Sequence, residues 1–353
     1  MVRFTVLASG SKGNSCIVSC CSENEKAGTR ILVDAGLSCR ELFRRMKQVG
    51  EDPGSLDAIL VTHEHQDHIN GLAVTARKLG IPVYFTEATH RAWVRQVTPQ
   101  KRITYAEWAQ QYRQQKQAAE EVVTGAENNS SVLKGRGFSR AISANNETGA
   151  LAPEGRASSD SAASPSISGF SASNCDPARE STPDPARLPA VQYFRAGENF
   201  SIGDLQISPF TIPHDAADPV GFVFTAQGVR LALATDLGYM PPNVQAQLRR
   251  CDLIMLESNH DLEMLRDGPY PWSVKQRVLS RVGHLSNDAA STFLEGAYDG
   301  AATYLILAHL SESNNLPELA RLAAERALIS KPSLLANRLF LAAQDEPLVP
   351  VCF

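Results

Sequence analysis

The chain has 353 residues, 43% of them hydrophobic, enough to fill the core of one large α/β domain. Its 34 basic and 38 acidic side chains leave a net charge of −4, so composition alone does not advertise the basic surface of a nonspecific nucleic-acid binder. No apolar run of about eighteen residues occurs and Met1 leads straight into the strand-like Val2–Val6, which points to a cytoplasmic protein without a membrane span or signal peptide.

Apolar runs and their periods predict strands near 2–8, 16–20 and 30–34, a helix near 38–49, a strand at 58–62, a helix near 70–79, a strand at 82–85 and a helix near 87–97. Tyr105–Val123 is helical in composition and reads either as an arm that touches substrate or as an exposed helix leading into a linker. From Gly125 to Pro189 the chain is dominated by Ser, Ala, Asn, Gly and Pro, too poor in large apolar residues to offset its ordering entropy, and it is expected to be a disordered low-complexity insertion. Beyond it come strands near 199–202, 205–212, 220–226, 229–235 and 252–257, helices near 273–282 and 287–298, a strand at 303–308 and a helix near 316–328. One domain over 1–330, interrupted by 125–189, is therefore expected, with 331–353 a C-terminal tail of no assigned role. Hairpins mixed with β-α units imply mixed sheets.

The seven cysteines are odd in number and contain no C-x-x-C pair, so neither a disulfide framework nor a zinc knuckle is indicated, and they are expected to be reduced and mostly buried. The densest chemistry lies at His63-Glu64-His65-Gln66-Asp67-His68, directly after the buried strand Ala58–Val61. Residues two apart on an extended chain share a side, so His63 and His65 can chelate one ion, while Asp67 and His68, where the loop turns into a helix, face a neighbouring point and suit a second. Imidazole and carboxylate without thiolate favour zinc, with manganese or iron as substitutes. His214, Asp236 and His309 each sit where an apolar strand stops, the positions whose side chains converge at one rim of a sheet. A lone histidine there can equally be a hydrogen-bonded core residue, and Asp236 can cap a helix, but two ions need more donors than the first loop supplies.

The histidine loop resembles the H-x-H-x-D-H motif of the metallo-β-lactamase superfamily at every ligand position. Asp34 is similar to that superfamily's first motif, which supports the histidine loop, and His214, Asp236 and His309 look like its third, fourth and fifth. The finer segments Leu7–Ser15, His214–Ala217, Glu257–Asp261, Pro271–Ser273, Val282–Asn287 and Leu307–Ser311 resemble the WalJ (YycJ) family, bacterial metallo-hydrolases regarded as 5′-to-3′ DNA exonucleases linked to mismatch repair. The resemblance implies an αββα sandwich of two mixed β-sheets flanked by helices. It implies two divalent ions, one on His63, His65 and His214, the other on Asp67, His68 and His309, with Asp236 bridging.

Two such ions activate water and clamp a phosphodiester, with Asp67 placed to orient or deprotonate the nucleophile. His260 is taken as the proton donor to the leaving oxygen by similarity to phosphodiesterase branches, although a structural role suits it nearly as well. His284 and Asn287 stand in a polar turn before a helix that can hold a phosphate or simply cap that helix. Ser11, Lys12 and Asn14, in a glycine-rich turn, can reach the rim of the site. Arg40, Arg44, Arg45 and Lys47 on one expected helix, and Lys275, Arg277 and Arg281 on another, read as DNA-facing charge or as solvated helix faces. The expected activity is a metal-dependent DNA exonuclease with a repair role. A hydrolase of small esters, thioesters or lactones fits the metal motif as well, and a non-catalytic metal-binding regulator fits it less well.

Overall fold

Strand side chains alternate between two apolar surroundings, and that alternation sets the layering of the computed structural model, which describes residues 1–21, 28–98, 109–110, 112–113, 184–329, 331 and 338–353. One seven-stranded sheet contains β1 (Val2–Ala8), β2 (Ser15–Cys21), β3 (Gly28–Val33), β4 (Ala58–Leu60), β5 (Val83–Phe85), β6 (Val191–Tyr193) and β14 (Val351–Cys352), in the order β14-β1-β2-β3-β4-β5-β6. The other contains β7 (Phe200–Ile202), β8 (Leu205–Thr211), β9 (Val220–Ala226), β10 (Val229–Ala234), β11 (Leu253–Glu257), β12 (Tyr304–Ala308) and β13 (Leu339–Leu341), in the order β13-β12-β11-β10-β9-β8-β7. Both sheets are mixed, with antiparallel hairpins on one side and parallel strands β3 to β6 and β10 to β13 on the other.

Between the sheets, Phe4, Val18, Ile31 and Val33 meet Phe222, Phe224, Leu231, Leu233 and Met255. The residues one step along, such as Ile17 and Leu32, point outward to α1 (Cys39–Gln48), α3 (Leu72–Leu79) and α4 (Glu87–Val97), which contribute Leu42, Met46, Leu72 and Trp93. On the opposite outer face, Ala232, Ile254 and Leu305 pack under α5 (Pro242–Gln247), α8 (Asn287–Glu295) and α9 (Pro317–Leu328). A period of two with both faces covered is what a sheet buried on both sides requires. This is the expected αββα sandwich. The C-terminal ends of β3, β4, β10, β11 and β12 supply the loops that carry Asp34, His63, Asp236, Glu257 and His309, and open α/β sheets bind ligands at such ends.

Three features depart from expectation. The helix expected at 70–79 is preceded by a separate turn of helix, α2 (Gln66–Ile69), and α6 (Leu262–Asp267) leads into α7 (Trp272–Val278), which ends four residues early. The expected insertion 125–189 lies outside the described residues as far as 183, as does most of 105–123. Its last residues are placed, however: Arg77 donates to the carbonyl of Arg187 at 3.1 Å, and Ala186 and Leu188 pack on the outer cluster beside α1 and α3. Finally, 331–353 is not a mere tail. β13 and β14 complete one edge of each sheet, Leu339, Ala342 and Val351 are buried, and Gln344 accepts from the backbone of Lys12 at 2.7 Å while donating to the carbonyl of Gly13 at 3.1 Å. Strands of two or three residues carry too few side chains to show a period, so their pairing is invisible in the sequence. No described helix is long and apolar enough to cross a membrane.

Removing 338–353 takes several buried apolar side chains from both cores, at about 1.5–3 kcal/mol each. That total rivals the stability of a whole domain, so the truncated chain is expected to be insoluble or to melt far below the full chain; a melting point within a few degrees of it would show the two strands to be dispensable. Deletion of 125–183, by contrast, is expected to keep a single cooperative melting transition, because loop closure cost grows slowly with length. Extending the deletion through Pro189 should lower the melting temperature, as the contacts of Ala186 and Leu188 are lost.

Candidate metal centre and active-site cleft

The loop after β4 delivers its ligand-type side chains in two directions. His63 Nε2 and His214 Nε2 each lie 3.1 Å from His65 Nδ1. The other nitrogens are spoken for: His214 Nδ1 donates to the carbonyl of Gly283 at 3.0 Å. His63 Nδ1 donates at 3.0 Å to Thr62 Oγ1, whose own hydrogen goes to Asp34 Oδ2 at 2.8 Å. Both Nε2 atoms therefore present bare lone pairs to the same nitrogen of His65, which one proton cannot satisfy. Zinc–nitrogen bonds of about 2.0–2.1 Å in a tetrahedron put ligand atoms roughly 3.3 Å apart, close to the spacing here.

A second cluster adjoins the first. Asp67 Oδ2 lies 3.5 Å from both His68 Nε2 and His309 Nε2. Here too the remote nitrogens are oriented by carboxylates, His68 Nδ1 donating to Asp34 at 2.8 Å and His309 Nδ1 to Glu257 at 2.9 Å. A carboxylate that accepts from one ring nitrogen fixes the tautomer and aims the other at a metal. Asp236 stands between the clusters, with Oδ2 3.4 Å from His68 Nε2 and Oδ1 3.3 Å from His309 Nδ1, and it also groups with His63. Asp236 Oδ2 and His309 Nε2 are buried without a hydrogen-bond partner, a costly condition that a bound cation removes.

Electrostatics agree with this fit. Burial, reinforced by neighbouring histidines, holds His63 well below its usual pKa, and burial likewise lowers His214, so both rings are kept in the neutral form that ligates. At His68 and His309 burial acts in the same direction but is outweighed by Asp236 with Asp67, Asp34 and Glu257, which hold both rings well above the usual value. Asp236 and Asp67 are held low by those rings despite their own burial. These carboxylates call for cationic partners. Asp34, Asp236 and His309 also adopt left-handed backbone, φ 59°, 62° and 57°, where residues with a side chain are strained. Gly36 follows Asp34 because a Cβ there would lie 1.7 Å from the carbonyl oxygen of Asp67, so only glycine lets the two loops meet.

The clusters floor a cleft of about 380 Å³, to which His65, Asp67, Asp236, His284 and His309 contribute. His284 faces it with Nδ1 held by Glu257 at 2.8 Å, which leaves Nε2 for the cleft. Ser11 lines it too. Lys12 turns to Glu312 at 2.7 Å, and Asn14 is buried, its amide 3.0 Å from Asp67 and His68, so it braces ligands instead of reaching for substrate. Asn287 is buried in a polar knot with Ser258 and Asn315, while Ser286 caps α8 through the N–H of Ala289. His260 is buried beneath the cleft floor, both ring nitrogens without partners, and burial lowers its pKa to about 4.

Glu257 is the residue that sequence reasoning passed over. It is fully buried, accepts from His284, His309 and the backbone of Leu237 and Leu285, and is lowered to about 2, burial being overcome by the two histidines. Its signal was available, since it ends an apolar run as Asp34 and Asp236 do. The basic helices resolve differently from one another. Arg45 is buried, donating to the carbonyls of Leu7 and Gln344, and Arg44 is paired with Glu41, so that helix braces the fold. Arg277 alone of its group reaches the cleft.

Residues 29–148 and 169–310 match the family model of the β-lactamase superfamily domain. Exodeoxyribonuclease YycJ of Bacillus anthracis is 30% identical over 332 residues, covering 94% of this chain and 90% of that protein. Exodeoxyribonuclease WalJ of Streptococcus pneumoniae serotype 2 is 29% identical over 320 residues, covering 91% of this chain and 86% of that protein. Among solved structures, the metallo-β-lactamase fold protein YhfI of Bacillus subtilis shares the architecture at a TM-score of 0.55 and 12% identity, over 99% of both chains. With the fold, the histidine loop and these relatives in agreement, the chain belongs to the β-lactamase superfamily, in the branch that holds the YycJ and WalJ proteins.

Proposed function

We propose that the protein is a dinuclear metal-dependent phosphodiesterase, a DNA exonuclease that degrades from the 5′ end and serves repair in the cytoplasm. The observation that carries this reading is the pair of ligand clusters joined by Asp236 on the floor of an open cleft, with a non-ligand histidine, His284, on its wall. The exodeoxyribonuclease names of the relatives supply the substrate class. His63, His65 and His214 would hold one ion and Asp67, His68 and His309 the other, with Asp236 shared. The donor set is imidazole and carboxylate without thiolate, which favours zinc. When bound, two such ions lower the pKa of water and offset charge on the attacked phosphoryl group.

The remaining work falls to side chains. Asp67 borders the cleft and accepts a hydrogen bond from the attacking water, fixing its line of approach. Asp34 and Glu257 keep the histidine tautomers that this arrangement needs. His284 is the better proton donor to the leaving oxygen: it lines the cleft, Glu257 orients its Nδ1, and its Nε2 is free to give a proton outward. His260, the donor expected from sequence, lies buried off the cleft.

Purified protein is expected to carry about two equivalents of transition metal per chain, with zinc restoring activity and raising the melting temperature after chelation. Absence of stoichiometric metal after reconstitution would sink the reading. On linear duplex DNA, Asp67→Ala should abolish hydrolysis and His284→Ala should cost roughly 10² to 10⁴ in rate with metal content kept. On a nitrophenyl phosphodiester, whose leaving group needs no proton, the His284 variant should recover much of its rate and the Asp67 variant should not. His260→Ala should alter thermal stability more than rate on either substrate; a DNA-selective loss there would return the acid role to His260. Turnover of nitrophenyl esters with none of DNA would select the small-ester alternative.

A further inference from the structure

We propose that Arg277 anchors the phosphate under attack, and that Asp215 holds it in reserve until substrate arrives. The proposal rests on the phosphodiesterase reading above. Among the described residues lining the cleft, Arg277 is the only lysine or arginine; the other charged groups there are Asp67, Asp236 and the histidines. The neighbouring cations are engaged elsewhere. Lys12 pairs with Glu312, Lys275 is buried with Nζ on the carbonyl of Arg266 at 2.6 Å, and Arg281 lies over the ring of Tyr239 at 4.2 Å. A phosphodiester entering this cleft meets one permanent side-chain cation.

That cation already grips an oxyanion. Arg277 donates from Nε to Asp215 Oδ2 at 2.5 Å and from Nη2 to Oδ1 at 3.1 Å, the two-pronged geometry that guanidinium offers equally to carboxylate and phosphate. Asp215 Oδ1 in turn lies 3.5 Å from His214 Nε2 and 3.9 Å from His65 Nε2. A phosphate oxygen that took its place would therefore sit against the first histidine cluster while still held by Arg277, which identifies the phosphate as the one under attack. The exchange is cheap because both side chains are solvated, 58% and 26% exposed, and so exposed a pair contributes little to stability. Nor does it open the wall of the cleft. The backbone N–H of Asp215 donates to the carbonyl of Val282 at 3.0 Å and His214 Nδ1 to that of Gly283, so the two segments stay joined when the side chains part. Val274, Arg277 and Val278 share one face of α7, which presents Arg277 inward.

The test uses metal-loaded protein and two probes, bis(nitrophenyl) phosphate for kinetics and a cleavage-resistant phosphorothioate single strand for binding. Arg277→Ala should raise KM for the small diester and for DNA by about 10- to 100-fold, the range of a hydrogen-bonded charged contact, with kcat less affected and metal content unchanged. Arg277→Lys, which keeps the charge and loses the fork, should fall between. The salt dependence of single-strand affinity, log K against log salt, should flatten by about 0.7 in Arg277→Ala, the loss of one phosphate contact. Asp215→Asn, which frees the guanidinium, should bind the strand more tightly than the wild type. An unchanged salt slope and an unchanged KM for the small diester in Arg277→Ala would overturn the anchoring role. Weaker binding in Asp215→Asn would overturn the exchange and make Asp215 a support for Arg277. Wild-type protein idle on both DNA and the diester would defeat the phosphodiesterase reading itself, and the salt slope would still decide whether Arg277 contacts a phosphate.

Discussion

Two buried carboxylates govern this molecule. Asp34 and Glu257 lie at opposite sides of the centre, one at the end of a strand in each sheet, and each accepts from histidines whose far nitrogens face inward. Without those acceptors the rings would be free to turn, to swap tautomer, or to satisfy their nitrogens with one another. A buried acid is itself costly, and each of these is satisfied by backbone N–H groups as well as by rings, Asp34 through Thr62 and Glu257 through Leu237 and Leu285. The sheets thus do more than support loops. They supply a dry, hydrogen-bonded frame in which four imidazoles have one orientation each.

The local part of this design is legible in the sequence. His63, His65, Asp67 and His68 are neighbours on the chain, so their geometry follows from a strand that turns into a helix. His214, Asp236 and His309 are distant, but each marks the end of an apolar strand, and strand ends gather at one rim. What was not legible depends on contacts that no local pattern encodes. Glu257 matters because of the rings of His284 and His309, which are 27 and 52 residues away. The fork between Arg277 and Asp215 spans 62 residues. β13 and β14 are too short to show a period and exist only because partner strands offer them unpaired edges. His260 shows the opposite error, a histidine in a suggestive segment whose side chain turns into the protein, because β11 ends at Glu257 and nothing in the following residues says which of them faces the cleft.

The modest negative charge of the chain takes on a definite meaning at the site. The acidic side chains that count are sequestered around the centre, where ions would offset them, and most basic side chains near it are committed to carbonyls, acids or aromatic rings. A surface organised in this way gives little general attraction to a polyanion. Recognition is then concentrated at the cleft itself, which suits an enzyme that engages a strand at its end more than one that coats a duplex.

The left-handed backbone at Asp34, Asp236 and His309 has an evolutionary consequence. At each position the fold by itself would prefer glycine, since a side chain in that conformation costs of order 1–2 kcal/mol. The three sites are therefore points where drift and function pull in opposite directions: a lineage released from selection for activity would gain stability by losing these side chains first. Descendants that kept the sandwich but abandoned the chemistry should be recognisable by glycine or asparagine at these strand ends long before the apolar core has changed.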